Sequence, residues 1–134
     1  MQIKFFSLFS QPSYFLLRLF SGLLFCQHGA QKLFGVLGRE AADAPLMIVA
    51  GIVEFFGGLF IAIGLLTQIA ALLAAGQMLV AYFMAHAPQG FWPILNNGEL
   101  ALLYMFIFLY IMSRGPGRFA MDSYIKREPG PRGT

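Results

Sequence analysis

Four titratable side chains lie within or beside the most apolar segments of the sequence: His28, Glu54, His86 and Glu99. An ionised carboxylate inside hydrocarbon costs a few kcal/mol, so Glu54 must be protonated, paired or hydrated. Histidine exchanges protons near neutral pH, and burial favours the proton-carrying form of a carboxyl group. Groups of these two types in one site can deliver and accept protons during a reaction. We therefore take these four residues as candidate catalytic acids and bases.

The first apolar segment carries a polar face. His28, Gln31 and Lys32 are spaced i, i+3 and i+4, so in a helix they share one side, which cannot point at lipid. His28, Lys32 and Arg18 are the possible partners of Glu54, and Arg18 could instead extend its long stem to the membrane interface. Lys32 can also stabilise a developing oxyanion. The candidate ligand-binding residues are Arg18, Gln31, Lys32, Phe91, Trp92 and Asn97.

Four apolar segments position these side chains, at about residues 13–34, 46–66, 68–85 and 99–112. The chain is 58% hydrophobic and 11% charged, with a mean hydropathy of +0.70, which leaves too little polar surface for a water-soluble globule. Helices of roughly 20 residues cross a bilayer. The sequence thus predicts an all-α, membrane-spanning four-helix bundle in one domain, residues 1–134, solvated by the lipid bilayer.

The spacing predicts that the polar groups share one half of the bundle. His28 would lie roughly 9 Å, and Glu54 roughly 12 Å, from the outer end of its helix. His86 ends the third segment and Glu99 begins the fourth, at the same outer end. We expect these groups to line one cavity whose walls include Phe91 and Trp92. The alternative is that a pair made by Glu54 only holds helices together.

Charge and cysteine content exclude several classes of function. The net charge is only +3, and most of the basic residues lie near the C-terminus, without the interleaved aromatic residues of a nucleic-acid-binding surface. No nucleic-acid partner is therefore expected. Cys26 is the single cysteine, which excludes an internal disulfide and a C-x-x-C pair. The sequence shows no metal site and no flavin, haem or iron–sulfur motif. We expect no intrinsic cofactor, and any electrons must come from a partner protein.

Several of these residues form motifs that resemble the DoxX family: Arg18-Leu19-x-x-Gly22, His28-Gly29-x-x-Lys32-Leu33-Phe34-Gly35, Gly51-x-x-Glu54-x-x-Gly57-Gly58, Gly64-Leu65-x-Thr67 and Asn97-Gly98-Glu99. The resemblance implies a four-helix membrane protein of bacteria or archaea, located in the cell (inner) membrane. Relatives in that family are described as the small membrane subunit of a thiosulfate:quinone oxidoreductase, and others are tied to catechol, quinone or thiol stress.

The leading functional hypothesis is therefore the membrane subunit of a quinone-linked oxidoreductase, with quinone as ligand and a redox partner protein as electron donor. A second hypothesis is a non-catalytic scaffold that anchors a partner protein at the membrane. A third is a small-solute carrier, which in a bundle this small would require a homo-oligomer for alternating access. Binding of quinone, co-purification of subunits and uptake into liposomes distinguish the three.

The distribution of basic residues predicts the orientation. Five of the nine lysines and arginines follow Met112, whereas the loop at residues 87–98 has none. By the positive-inside rule the tail at residues 113–134, and with it the N-terminus, is cytoplasmic. A cysteine placed at Gln89 should react with an impermeant thiol reagent on intact cells, and one at Ser123 should not. The reverse pattern would overturn the orientation, and the parent chain with only Cys26 is the control.

Overall fold

In the computed structural model, which describes residues 1–126, the chain is built from helices joined by short loops. The helices are α1 (Lys4–Ser7), α2 (Ser10–Phe34), α3 (Pro45–Ile63), α4 (Thr67–Gln89), α5 (Pro93–Asn96), α6 (Glu99–Arg114) and α7 (Met121–Ile125). No strand occurs among the described residues, so the all-α prediction is confirmed. The four long helices coincide with the four predicted segments. Arg127 and Arg132, which the tail prediction counted, lie outside the described residues.

Two of the long helices, α3 and α4, are long and apolar enough to cross a membrane. The other two differ for identifiable reasons. Helix α2 has 25 residues but carries Arg18 and Lys32, and α6 has only 16 residues, or about 24 Å at 1.5 Å per residue. The predicted tight hairpin between α3 and α4 is confirmed. Gly64 and Leu66 both adopt positive φ values, of 75° and 47°, in the turn that joins the two helices.

Helices α2 and α3 pack against each other along their length because glycines remove the side chains between them. A Cβ built on Gly22 would lie only 2.5 Å from the carbonyl oxygen of Gly58, and one on Gly58 only 2.5 Å from the backbone nitrogen of Cys26. A Cβ on Gly29 would overlap the backbone of Phe55. Small residues allow this close approach, and the resulting van der Waals contact is a main source of helix association in membranes.

Helices α4 and α6 form the second pair. Buried alanines of α4, among them Ala71 and Ala74, pack against large side chains of α6 that include Tyr104 and Phe108. The two pairs meet where the ring of Phe25 in α2 lies 4.8 Å from that of Phe108. The fold is therefore two antiparallel helix pairs. We call the end that holds residues 35–44 and 90–98 the loop end, and the end with the α3–α4 turn the hairpin end.

Both helices that could span a membrane contain a π-helical turn, which the sequence analysis did not predict. In α3 the turn covers Val53–Gly57 and includes Glu54, and in α4 it covers Tyr82–His86 and includes His86. A π turn inserts one residue into the helix and redirects the neighbouring side chains. Each of the two turns thus contains one of the candidate acid–base residues.

Arg18 lies at the hairpin end and does not take either of the positions expected for it. Its side chain is buried, with one guanidinium nitrogen donating to the carbonyl oxygens of Ile61 (2.7 Å) and Ala62 (2.9 Å) and the other to that of Phe119 (2.6 Å). It neither pairs with Glu54 nor reaches the interface. The physical reason is that the last carbonyls of α3 have no partner inside the helix and attract a cation.

Asp122, in α7, closes the hairpin end from the other side. One carboxylate oxygen accepts the backbone N–H of Leu66 at 2.9 Å, and the other accepts both the backbone N–H (2.9 Å) and the hydroxyl (2.8 Å) of Thr67. These are the unpaired donors at the start of α4, where a negative charge is favourable. Partial burial raises the pKa of Asp122, but the hydrogen bonds from Thr67 and Leu66 outweigh burial, so its pKa lies below the ordinary 3.8.

The lowered pKa of Asp122 predicts how its contribution to stability depends on pH. A carboxylate with a depressed folded-state pKa stabilises the fold above the unfolded-state pKa, and this stabilisation is lost as pH falls through the folded-state value. The parent should therefore have a higher melting temperature than Asp122→Asn. This difference in melting temperature should be constant above about pH 5 and should decrease below pH 3.8. Asp43→Asn, which removes an exposed loop carboxylate, is the control. A margin independent of pH would contradict this role.

Candidate functional site

A buried ion pair joins α2 to α3 near the middle of the molecule. The Nζ atom of Lys32 donates to a carboxylate oxygen of Glu54 at 2.6 Å, and the two side chains are 12% and 5% exposed. Gln77 of α4 donates its amide to the other carboxylate oxygen at 2.9 Å. The expectation that Glu54 pairs with the first helix is confirmed, and the partner is Lys32. The two charges neutralise each other, and the hydrogen bond from Gln77 occupies the second carboxylate oxygen of Glu54. A buried ion pair requires both.

The ion pair lies in a cavity of about 810 Å³ between the two helix pairs, toward the loop end. Most of its wall is apolar and comes from α3, α4 and α6. The polar and charged residues that line it are His28, Lys32, Arg39, Glu54, Gln77, His86, Asn97 and Tyr104. Apolar walls with a few convergent polar groups, at a volume between about 300 and 1,000 Å³, are typical of small-molecule sites.

The structure brings together half of the residues predicted for the site. His28, Lys32, Glu54, His86 and Asn97 all line the cavity. His28 and Lys32 line it together because they share one face of α2. Glu54 and His86 lie in the two π turns, which both border the cavity. These five residues come from three of the four long helices, α2, α3 and α4, and from the loop before α6.

The other predicted residues lie outside this cavity, and each has a local reason. Gln31 turns to the loop and donates to the carbonyl oxygen of Leu37 at 3.0 Å. Glu99 is exposed at the first position of α6, where a carboxylate complements the helix N-terminus. Phe91 and Trp92 are 83% and 64% exposed, because Pro93 begins α5 and turns the preceding loop outward. The expectation that these two rings wall the cavity is wrong.

Three polar or charged residues in the cavity wall were not among the predicted site residues: Arg39, Gln77 and Tyr104. Gln77 is the most informative, because it is the one amide in the middle of an otherwise apolar stretch of α4, and it contacts Glu54 directly. A single amide within an apolar segment indicates a buried polar contact, so the sequence could have identified Gln77. Tyr104 lies within an aromatic-rich helix, so its hydroxyl could not be distinguished from an ordinary core or interface group.

A hydrogen bond assigns the proton of His86 to one of its two ring nitrogens. Its Nδ1 lies 3.0 Å from the backbone carbonyl oxygen of Asn96, and since a carbonyl only accepts, Nδ1 carries a proton. Asn96 is itself fully buried and is held by hydrogen bonds to Tyr82, Gly90 and Gly98. In neutral His86 the other nitrogen, Nε2, is therefore left as a hydrogen-bond acceptor. The site thus offers a fixed acceptor at His86 and a cationic donor at Lys32.

Residues 13–87 match the family described as DoxX. The chain belongs to the DoxX family. This DoxX protein is 40% identical over 120 residues to an uncharacterized protein of Haemophilus influenzae, which covers 82% of this chain and 90% of that protein. It is 30% identical over 102 residues to the inner membrane protein YqjF of Escherichia coli, covering 75% of each chain.

A more distant relative of the DoxX protein is an uncharacterized membrane protein of Mycobacterium tuberculosis, 26% identical across 87% of this chain and 83% of that protein. No solved structure matches. The resemblance to the DoxX family is thus confirmed, and the DoxX protein is a membrane protein. Four of the five predicted residues that line the cavity, His28, Lys32, Glu54 and His86, fall within the matched segment.

The ion pair predicts a specific pattern of stability losses. Removing one partner leaves an uncompensated buried charge, so Lys32→Met and Glu54→Gln should each destabilise the protein by about 3–5 kcal/mol, and the double variant by much less than the sum. Thermal unfolding in detergent measures these losses. Arg18→Met combined with Glu54→Gln is the matched control and should be additive, because the two side chains do not contact each other. Additive losses for Lys32 and Glu54 would contradict the pairing.

Proposed function

We propose that this DoxX protein binds a quinone in its cavity and acts as the membrane subunit of a quinone-linked oxidoreductase. The observation that carries the proposal is an apolar cavity with the hydrogen-bonded pair Lys32–Glu54 buried inside it. An aromatic head group fits apolar walls, and its carbonyl oxygens accept hydrogen bonds from Lys32 or Gln77. The scaffold alternative accounts for the ion pair but gives no role to an 810 Å³ cavity beside it.

The reduction of a quinone to a quinol consumes two electrons and two protons. The two protons come from water at the loop end in this proposal, and Glu54, His28 and His86, which line the cavity, can each accept a proton and pass it to a quinone oxygen. Lys32 would stabilise negative charge that develops on a carbonyl oxygen before protonation. The electrons come from a redox partner protein in this proposal, because the sequence carries one cysteine and no motif for a flavin, haem or iron–sulfur cluster.

The proposal includes the membrane topology. All four long helices would cross the inner membrane as one bundle, with the loop end outside and both termini in the cytoplasm. Three observations support it: α3 and α4 are long and apolar enough to cross, Arg114, Arg118 and Lys126 lie at the hairpin end, and a relative is named an inner membrane protein. Arg18 of α2 is hydrogen-bonded inside the protein, which makes that helix compatible with lipid.

Quinone binding to purified protein tests the proposal. Quinone should co-extract with the protein, and a water-soluble quinone analogue should raise its melting temperature. Glu54→Gln, which keeps the shape and an acceptor for Gln77, should bind the analogue at least about tenfold more weakly, or about 1.4 kcal/mol. Glu99→Gln makes the same chemical change outside the cavity and should bind like the parent. Equal binding by all three proteins, or no quinone in the extract, would favour the scaffold.

A further inference from the structure

A second concavity, wholly apolar in its lining, runs along the seam between α3 and α4. It has a volume of about 310 Å³, and its walls include Phe56, Phe60, Ile69 and Leu73. Val53 lines both this groove and the cavity, so the two adjoin along the same α3–α4 seam. From its border with the cavity, close to Glu54, the groove leads toward the hairpin end.

The groove faces outward, where lipid lies in the proposed topology. Ile69 and Leu73 are 61% and 58% exposed, and Leu66 at its far end is 54% exposed. On α3 the groove is lined from Ile52 to Phe60, so it follows about 12 Å of helix. Among residues 1–126, no polar side chain lines it. A groove of this length and composition fits a hydrocarbon chain and offers nothing to a polar group.

A glycine keeps the groove open. Gly57 lines it at the end of the π turn in α3, and a Cβ built there would meet only a methyl group of Val53, at 4.0 Å. This differs from Gly58, the next residue, which lies in tight contact with α2. Gly57 is thus not required for helix packing, and its missing side chain leaves free volume on the outward face.

We propose that the ligand of the cavity is a long-tailed quinone whose tail lies in the α3–α4 groove. This inference rests on the proposed function, and it adds the kind of quinone that binds and the orientation of the bound molecule. The head group binds at Lys32, Glu54 and Gln77, and the tail leaves the cavity past Val53 and runs toward the hairpin end. Polar groups line the cavity and, among the described residues, none lines the adjoining groove, so an amphiphile that occupies both has one favourable orientation.

Two glycines allow the head and tail sites to be blocked separately. Gly57→Leu places a side chain in the groove. Gly76→Leu places one in the cavity wall, where a Cβ would meet no atom within 4 Å. Leucine has a higher helix propensity than glycine, so neither change should prevent folding. Melting temperatures verify that both variants fold, and Gly57→Ala is a milder second variant for the groove.

The experiment compares two quinone analogues with the same head group, one without a tail and one with several prenyl units. Binding is measured with the full chain in nanodiscs of one zwitterionic lipid, as the ratio of Kd between variant and parent, so that partitioning into lipid cancels. Gly57→Leu should weaken binding of the long-tailed analogue at least about tenfold and leave the tailless one unchanged. Gly76→Leu should weaken both.

The outcomes separate this inference from the proposed function. If the parent binds both analogues, Gly76→Leu weakens both and Gly57→Leu affects neither or both equally, the groove does not hold the tail, while the quinone site stands. If Gly57→Leu removes a co-purified phospholipid and leaves quinone binding unchanged, the groove is a lipid site and the inference is wrong. If the parent binds neither analogue, the proposed function fails and the inference fails with it.

Discussion

The ion pair between Lys32 and Glu54 is the interaction on which the rest of the arrangement depends. A charge can lie in an apolar bundle only when an opposite charge or several hydrogen-bonding groups lie beside it, and a carboxylate beside few donors requires the opposite charge. The two residues come from different helices, so their contact sets the register of α2 against α3. Gly51 makes the contact possible, because a side chain there would lie within about 3 Å of the Lys32 stem. Glycine packing and the ion pair therefore require each other, and the cavity opens beside them.

The position of the cavity follows from how the helices pair. Helices α2 and α3 close on each other through glycine, and α4 and α6 close through alanine against large aromatic side chains. Neither pair closes as tightly on the other, and Phe25 and Phe108 keep the pairs in contact only along part of their length. The remaining space is the cavity, and each of the four long helices contributes at least one polar side chain to its wall. If all four helices packed against one another equally closely, their side chains would fill this space.

The sequence predicted the helices and the hairpin, and five of its ten candidate site residues line the cavity, because apolar length and helical spacing are local properties. It left open which of three cations pairs with Glu54. Arg18 and Lys32 were both possible partners by sequence. The fold decided between them, because Arg18 is held by the carbonyl oxygens of Ile61 and Ala62 at the end of α3. Trp92 and Phe91 were misplaced for a similar reason, since the direction of a loop depends on the next helix. The π turns left no signal in the spacing.

The hydrogen bonds at the hairpin end have a mechanical consequence. Arg18, Asp122 and Tyr14 tie α2, the α3–α4 turn and the segment after α6 to one another, with Tyr14 donating to the carbonyl oxygen of Gly115. Toward the loop end, the Asn96 cluster lies within the α4–α6 pair, and the side-chain bond that links the two helix pairs there runs from Gln77 to Glu54 among residues 1–126. Local opening occurs where such bonds are fewest. We therefore expect the hairpin end to act as the pivot when the two helix pairs separate, and widening at the cavity then has to break the bond between Gln77 and Glu54.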